Sequence, residues 1–305
     1  MKCDVFLVGN ASMDFIFTDL PRMPILGEDT FAANFAMVPG EAFTNAITLH
    51  RLGLRVAWAA DFGNDKISEL ILDEVRKSGI SEEFFIFHNR PFRRVSMSAS
   101  FQNDRAFLSY YDPEPGLSAA LKALLKVKAD VLFIPGLIHG REFEAALPAI
   151  KMKKMRIVMD GNCPKELSLS TKSVARAIHN TDVFLPNAKE ARSLSGLDDI
   201  KIAAEQIAKV GPVVVIKDGS NGAYAFDGNK HYHSHGIPNQ SLDTTGAGDC
   251  FSSGFLKAYM EGLPMQDCLE WGNAVGGLSV SGYGGTSVLI SKEKVISEIH
   301  EHYSK

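Results

Sequence analysis

The run Asp243-Thr244-Thr245-Gly246-Ala247-Gly248-Asp249, continued by Cys250-Phe251-Ser252-Ser253-Gly254-Phe255, is where this sequence concentrates chemistry. Small residues, two of them glycine, lead into a helical pattern that extends to about Glu261. A glycine loop opening a helix leaves backbone N–H groups without intrahelical partners, and the helix dipole adds positive potential there. Such a terminus holds anions, most commonly phosphate. Asp249 stands out, because a carboxylate repels a phosphate in the same place. Two readings are open for it: an ordinary N-cap, or a general base that takes the proton of a hydroxyl attacking phosphorus. Other phosphate machinery is missing. The chain has no Gly-Lys dipeptide and so no Walker A loop, and no H-R-D catalytic loop. After the first apolar run stands Gly9-Asn10-Ala11-Ser12 rather than a G-x-G-x-x-G turn, which weighs against dinucleotide binding.

These residues need a scaffold, and the pattern around them is α/β. Strands are expected at Val5–Val8, Val56–Ala60, Val131–Ile134, Ile157–Asp160, Val183–Leu185 and Val213–Ile216, mostly as continuous apolar runs suited to a parallel sheet covered on both faces. Helices are expected between them, at Thr44–Leu52, Lys66–Ser78, Glu142–Lys153, Ala188–Leu194 and Ile202–Val210, the first two stopped by Gly53 and Gly79. Two stretches break the rhythm. Phe15–Val38 carries Pro21, Pro24 and Gly27, and Arg93–Phe101 with Ala106–Tyr111 reads as two strands around the turn Gln102-Asn103-Asp104-Arg105. They read either as a small β-appendage or as surface loops with a stray hairpin.

Composition is that of an ordinary globular chain: 305 residues, 45% hydrophobic and 22% charged, with 32 Lys+Arg against 36 Asp+Glu. The net charge of −4 argues against a nucleic-acid or polybasic membrane surface. Cys3, Cys163, Cys250 and Cys268 are too scattered for a disulfide framework or a structural zinc site. With no spanning segment and no secretory h-region, a cytoplasmic location is expected.

The sequence Asp243 to Asp249 with Phe251-Ser252-Ser253-Gly254-Phe255 resembles the C-terminal signature of the ribokinase-like (PfkB) carbohydrate kinases. Further marks follow in order: Gly9 and Asp14, Gly40 with Asn45-Ala46 to Arg51-Leu52-Gly53, Asp160 and Asn162, Asn187-Ala188-Lys189-Glu190, Lys217 to Gly222, then Asn273 and Gly284-Gly285. The resemblance implies a three-layer α/β/α fold with a mostly parallel sheet plus a small β-sheet lid. It places the lid at 12–38 and 90–111 and the main nucleotide-binding domain at 1–11, 39–89 and 112–305. It implies transfer of the γ-phosphoryl group of ATP to a sugar hydroxyl. Asp249 becomes the base, with Gly246, Ala247 and Gly248 as the anion hole. Substrate would be met by Asp14, Gly40, Glu41, Thr44 and Asn45, and nucleotide by Asn187, Lys217, Gly219, Gly222 and Asn273. Glu190 would hold Mg²⁺ through water, and Asp243 and Thr245 match a monovalent cation (K⁺) site found in several relatives. Nucleoside kinases, which share the loop, are the alternative; Phe15, Phe17 and Phe43 leave an aromatic acceptor pocket open. A binding regulator of the same fold, without turnover, is the third reading.

The chain also departs from the family pattern. Pro39-Gly40 replaces a Gly-Gly pair, and Thr44 stands where an amide is usual, which changes the hydrogen bonds offered to substrate. Lys217 replaces a commonly hydroxylic residue, and is expected to touch phosphate or point to solvent. Arg90, Arg93, Arg94 and Arg105 read as an anion site or as a solvated strand face, and the aromatics Phe92, Phe101, Phe107, Tyr110 and Tyr111 as a lid–lid homodimer contact or hairpin anchors. Cys250 reads as filler and His231, His233 and His235 as surface.

Overall fold

The computed structural model describes residues 2–101, 105–113, 118–162 and 167–303. Cys163 and Gln102-Asn103-Asp104 of the expected turn lie outside them. In chain order the elements begin β1 (Val5–Val8), β2 (Ala11–Thr18), β3 (Asn34–Glu41), α1 (Ala42–Arg51), β4 (Val56–Phe62), α2 (Lys66–Ser78), β5 (Phe84–Phe87), β6 (Arg94–Ser100) and β7 (Arg105–Tyr111). They continue with α3 (Ser118–Lys126), β8 (Val131–Ile134), α4 (Arg141–Met152), β9 (Arg156–Asp160), α5 (Lys172–His179), β10 (Val183–Leu185), α6 (Ala188–Ser195), α7 (Ile200–Ala208) and β11 (Val213–Lys217). A 3₁₀ turn, β12 (Ala223–Phe226), β13 (His231–Ser234), α8 (Ala247–Met260), α9 (Met265–Ser279) and α10 (Lys292–Tyr303) complete the chain. Among these residues no helix is long and apolar enough to cross a membrane.

The larger sheet has nine strands in the order β13-β12-β11-β10-β9-β8-β1-β4-β5, parallel except at β12 and β13. Every residue of β1, β8 and β10 is buried, as their unbroken apolar runs require of strands covered on both sides. Two apolar clusters form the layers: Leu7, Trp58, Phe133 and Phe255 on one face, Phe6, Ile134, Phe143 and Phe184 on the other. The helix stops work as the glycines suggest. Gly79 caps α2 with φ 75°, and Gly53 follows α1 with φ 84°.

The two arrhythmic stretches form one four-stranded sheet, β3-β2-β6-β7, which settles the choice in favour of the β-appendage. It reaches from Ala11 to Glu41, with Ala11 opposite Glu41, so β3 runs directly into α1. Period-two alternation gives its faces different chemistry. Asp14, Ile16 and Thr18 share a face with Val38, Arg94, Ser96 and Ser98, while Phe15 and Phe17 lie opposite, beside Phe35, Met37 and Met97.

Candidate active site

The strand order reverses at β1, which lies between β4 and β8. In an open α/β sheet, ligands settle beyond the carboxyl ends of the strands at such a switch point. A cavity of about 500 Å³ opens there, walled by Gly9, Asn10, Asp61, Pro135, Gly136 and Asn162, and roofed by Glu41, Arg94 and Tyr111 of the small sheet.

The roof is an ion-pair network. Arg94 donates from Nη2 and Nε to Glu41 Oε2 at 2.9 and 3.1 Å, its guanidinium lies 4.0 Å from the Tyr111 ring centre, and the Tyr111 hydroxyl donates to Glu41 Oε1 at 2.8 Å. Glu41 sits at the junction with α1 with φ 54° and ψ −128°, a backbone conformation side chains rarely adopt. Strain of that kind is held in place by its surroundings and gathers at functional sites. Arg93 instead clamps Asp112 at 2.9 and 3.0 Å and holds that carboxyl well below the usual range. Arg90 donates to the Pro113 carbonyl, and Arg105 crosses to the Thr244 hydroxyl. Of the four arginines, Arg94 lines the cavity.

Asp14 is 9% exposed and accepts one hydrogen bond, from Ser12 Oγ at 2.9 Å. Burial, with Glu41 and Asp243 adding to it, pushes its pKa up to about 7. Gly40 is required beside it, because a β-carbon there would stand 2.1 Å from Asp14 Oδ2. Asp14, Gly40 and Glu41 therefore come together as the sequence suggests. Thr44 and Asn45 do not join them. Both are fully buried, and Asn45 Nδ2 donates to the Asp249 carbonyl at 3.0 Å, so α1 turns these positions toward α8 rather than the cavity. Phe43 belongs to the core against Trp58, and Phe15 and Phe17 face away from Asp14, so none of the three supplies an aromatic acceptor wall.

Asp249 occupies the third position of α8; the N-cap is Gly246, in the left-handed region at φ 76°, and this rules out the capping role for Asp249. Ala247 gives its N–H to the Thr244 carbonyl at 3.3 Å and so is not among the unpaired groups of this turn. Gly246, Gly248 and Asp249 have N–H groups in the helix's unpaired first turn. The Asp249 side chain accepts no hydrogen bond from a described residue, although burial, then the charges of Asp160, Glu41 and Asp14, raise its pKa well above the carboxylate norm against the pull of Lys217. The carboxyl is half-buried, and no described residue gives it a structural hydrogen bond. Cys250 next to it is buried, with its thiol pushed up to about 12, and is no nucleophile.

On the nucleotide side, Asn187 and Glu190 form a reciprocal cap of α6: Asn187 Oδ1 accepts from Glu190 N and Glu190 Oε2 from Asn187 N, both at 2.8 Å. Burial raises the Glu190 pKa. No three acidic, His or Cys side chains converge as a metal cage among the described residues. One carboxylate and one amide nonetheless make an oxygen set suited to Mg²⁺, which keeps most of its water. Gly219 and Gly222, with φ 58° and 93°, frame the 3₁₀ turn after β11. Asn273 differs from expectation: its Nδ2 donates to Ser234 O and Oγ and to His235 O, tying α9 to the end of β13. Asp243 and Thr245 do meet, but Asp243 is committed to Thr245 N and Oγ1 and to Gly284 N, at 2.8–3.0 Å. Lys217 neither points to solvent nor stands free. Its Nζ lies 2.7 Å from both carboxylate oxygens of Asp160 and 3.2 Å from Ser252 Oγ. The sequence names Asp160 and Ser252 as motif members without signalling this triad.

A mostly parallel α/β sheet with a second four-stranded sheet beside its strand ends, and a helix that starts there at a glycine loop, is the architecture to be placed. The chain belongs to the pfkB family of carbohydrate kinases, whose model matches residues 2–292. The chain is similar to 2-dehydro-3-deoxygluconokinase of Bacillus subtilis, 28% identical and covering 97% of this chain and 95% of the relative. Ribokinase of the same organism is 24% identical over 96% and 98% of the two chains. The fold matches that of Arabidopsis thaliana ribokinase complexed with ribose and ATP, with a TM-score of 0.79, 21% identity and 98% and 99% coverage. This protein is accordingly a sugar kinase with the ribokinase-like architecture.

Proposed function

We propose that the protein transfers the γ-phosphoryl group of ATP to a hydroxyl of an uncharged sugar, with Asp249 as general base. One observation carries the reading: a half-buried carboxyl in the first turn of α8, with no donor among the described residues, beside peptide N–H groups that the helix leaves unpaired. Burial and the charges of Asp160, Glu41 and Asp14 raise its pKa, which makes the carboxylate a stronger base than an ordinary one. The acceptor O–H passes its proton to Asp249, its oxygen forms the new bond to γ-phosphorus, and the bond to the β,γ-bridging oxygen breaks with its electron pair leaving on ADP. The N–H groups of Gly246 and Gly248 hold the equatorial oxygens as charge builds. Glu190 and Asn187 would hold Mg²⁺, which would supply positive charge to offset that of the phosphates. Gly219 and Gly222 border the nucleotide.

Sugar hydroxyls would donate to Asp14 and Glu41. The roof supports the uncharged class: Arg94 is already neutralised by Glu41, so among the described residues of the cavity a sugar acid would meet carboxylates with no cation left over. The test is ADP formation from ATP and Mg²⁺ with neutral sugars, sugar acids and nucleosides, the product identified by ³¹P NMR. A phosphate monoester of a neutral sugar is expected. Turnover confined to acids or nucleosides would overturn the acceptor class, and no turnover with any acceptor would overturn the reading.

A further inference from the structure

Lys217 is a buried cation that the chemistry above leaves without a task. Its side chain is 12% exposed and Asp160's 5%, and the two make a bidentate pair with Ser252 bridging, since Ser252 Oγ also donates to Asp160 Oδ2 at 2.6 Å. Buried ion pairs are weak devices for stability alone, because desolvation offsets much of the attraction. The place of this one is informative. Residue 217 ends β11 and is bridged to Asn187, so it stands at the carboxyl ends of the strands, beside the Asn187–Glu190 cap. A β-carbon on Gly248 would lie 3.6 Å from Lys217 Nζ, with no side chain between the ammonium and the first turn of α8. Burial disfavours the charge, but Asp160 and Glu190 more than offset that and keep the amine protonated.

The electrostatics expose a problem that Lys217 solves. Asp160, Glu190 and Asp249 crowd the place where the polyphosphate would sit. Phosphate beside three carboxylates needs a fixed positive charge in addition to the helix end.

Resting on the kinase reading, we infer that Lys217 is a catalytic residue that takes an oxygen of the migrating phosphoryl group, with Asp160 and Ser252 as the positioning residues that aim it. The donor now spent on Ser252, the longest of the three contacts, is the one that turns to phosphate. Ser252 keeps its bond to Asp160.

Lys217→Met is expected to lower kcat by about 10²–10³-fold, the usual loss for one preorganised donor at a developing charge, while the ATP KM changes by less than about threefold. Calorimetry gives a second readout: affinity for ADP with Mg²⁺ and aluminium fluoride falls, while affinity for ADP with Mg²⁺ is kept. Because Lys217→Met leaves Asp160 as an unpaired buried charge, the double variant Lys217→Met/Asp160→Asn serves as control. It is expected to regain the wild-type melting temperature and to keep the kcat defect. Recovery of wild-type kcat in the double variant, or undiminished binding of the fluoride complex, would show a structural ion pair and overturn the proposal. The wild-type protein failing to turn over any acceptor is a separate outcome, which strikes the kinase reading itself.

Discussion

The two sheets of this molecule are built on opposite terms. The inner strands of the nine-stranded sheet are covered on both faces, so their residues are chosen for volume, and Phe133 and Phe184 show no exposure. The small sheet has one face turned to the site, with Asp14 and Arg94, and another on which Phe35 and Leu108 remain 57% and 68% exposed. The first sheet fixes where strand ends and the α8 terminus lie. The second places charged groups over them and accepts burial of a carboxyl that would be more stable elsewhere. Rigidity and chemistry are therefore assigned to different sheets, and substitutions should separate them.

The largest effect belongs to the core: Phe133→Ala should cost about 3–5 kcal/mol in denaturant unfolding. Asp14 comes next, and its sign depends on pH. Its raised pKa means that the folded state binds the proton more tightly than the unfolded chain. The resulting stabilisation is complete below the ordinary carboxylate pKa and is lost as pH rises through about 7. Asp14→Asn should therefore melt near wild type at about pH 4 and several degrees above it at about pH 8; equal melting at both would mean that the carboxyl is well solvated. Gly40→Ala should push Asp14 aside and raise the acceptor KM about tenfold while sparing the ATP KM. The smallest effect is Leu108→Ala, at most about 0.5 kcal/mol. A loss comparable to that of Phe133→Ala would mean that the outer face is covered in solution, which favours the lid–lid contact over the hairpin-anchor reading.

Much of this was legible because local rules and the tertiary fold agree. Val5–Val8, Val131–Ile134 and Val183–Leu185 match the structure residue for residue, since a run buried on both faces admits nothing polar. The start of α8 at the glycine loop is likewise legible, because a helix N-terminus is written in adjacent residues. Contacts between distant segments were not. Nothing near residue 217 signals that its ammonium reaches Asp160 across the sheet, and nothing near Asn45 or Asn273 signals that their amide nitrogens donate to backbone carbonyls. The sequence carries no clear period for β12, α9 or α10, and α9 packs mainly on α8 rather than on the sheet.

The claim on which everything rests is that the Asp249 carboxyl moves the acceptor's proton. Turnover of Asp249→Asn, measured together with its affinity for ATP, tests this most directly. The account predicts turnover lower by roughly 10²–10⁴-fold with ATP binding largely intact. Turnover close to wild type would contradict it.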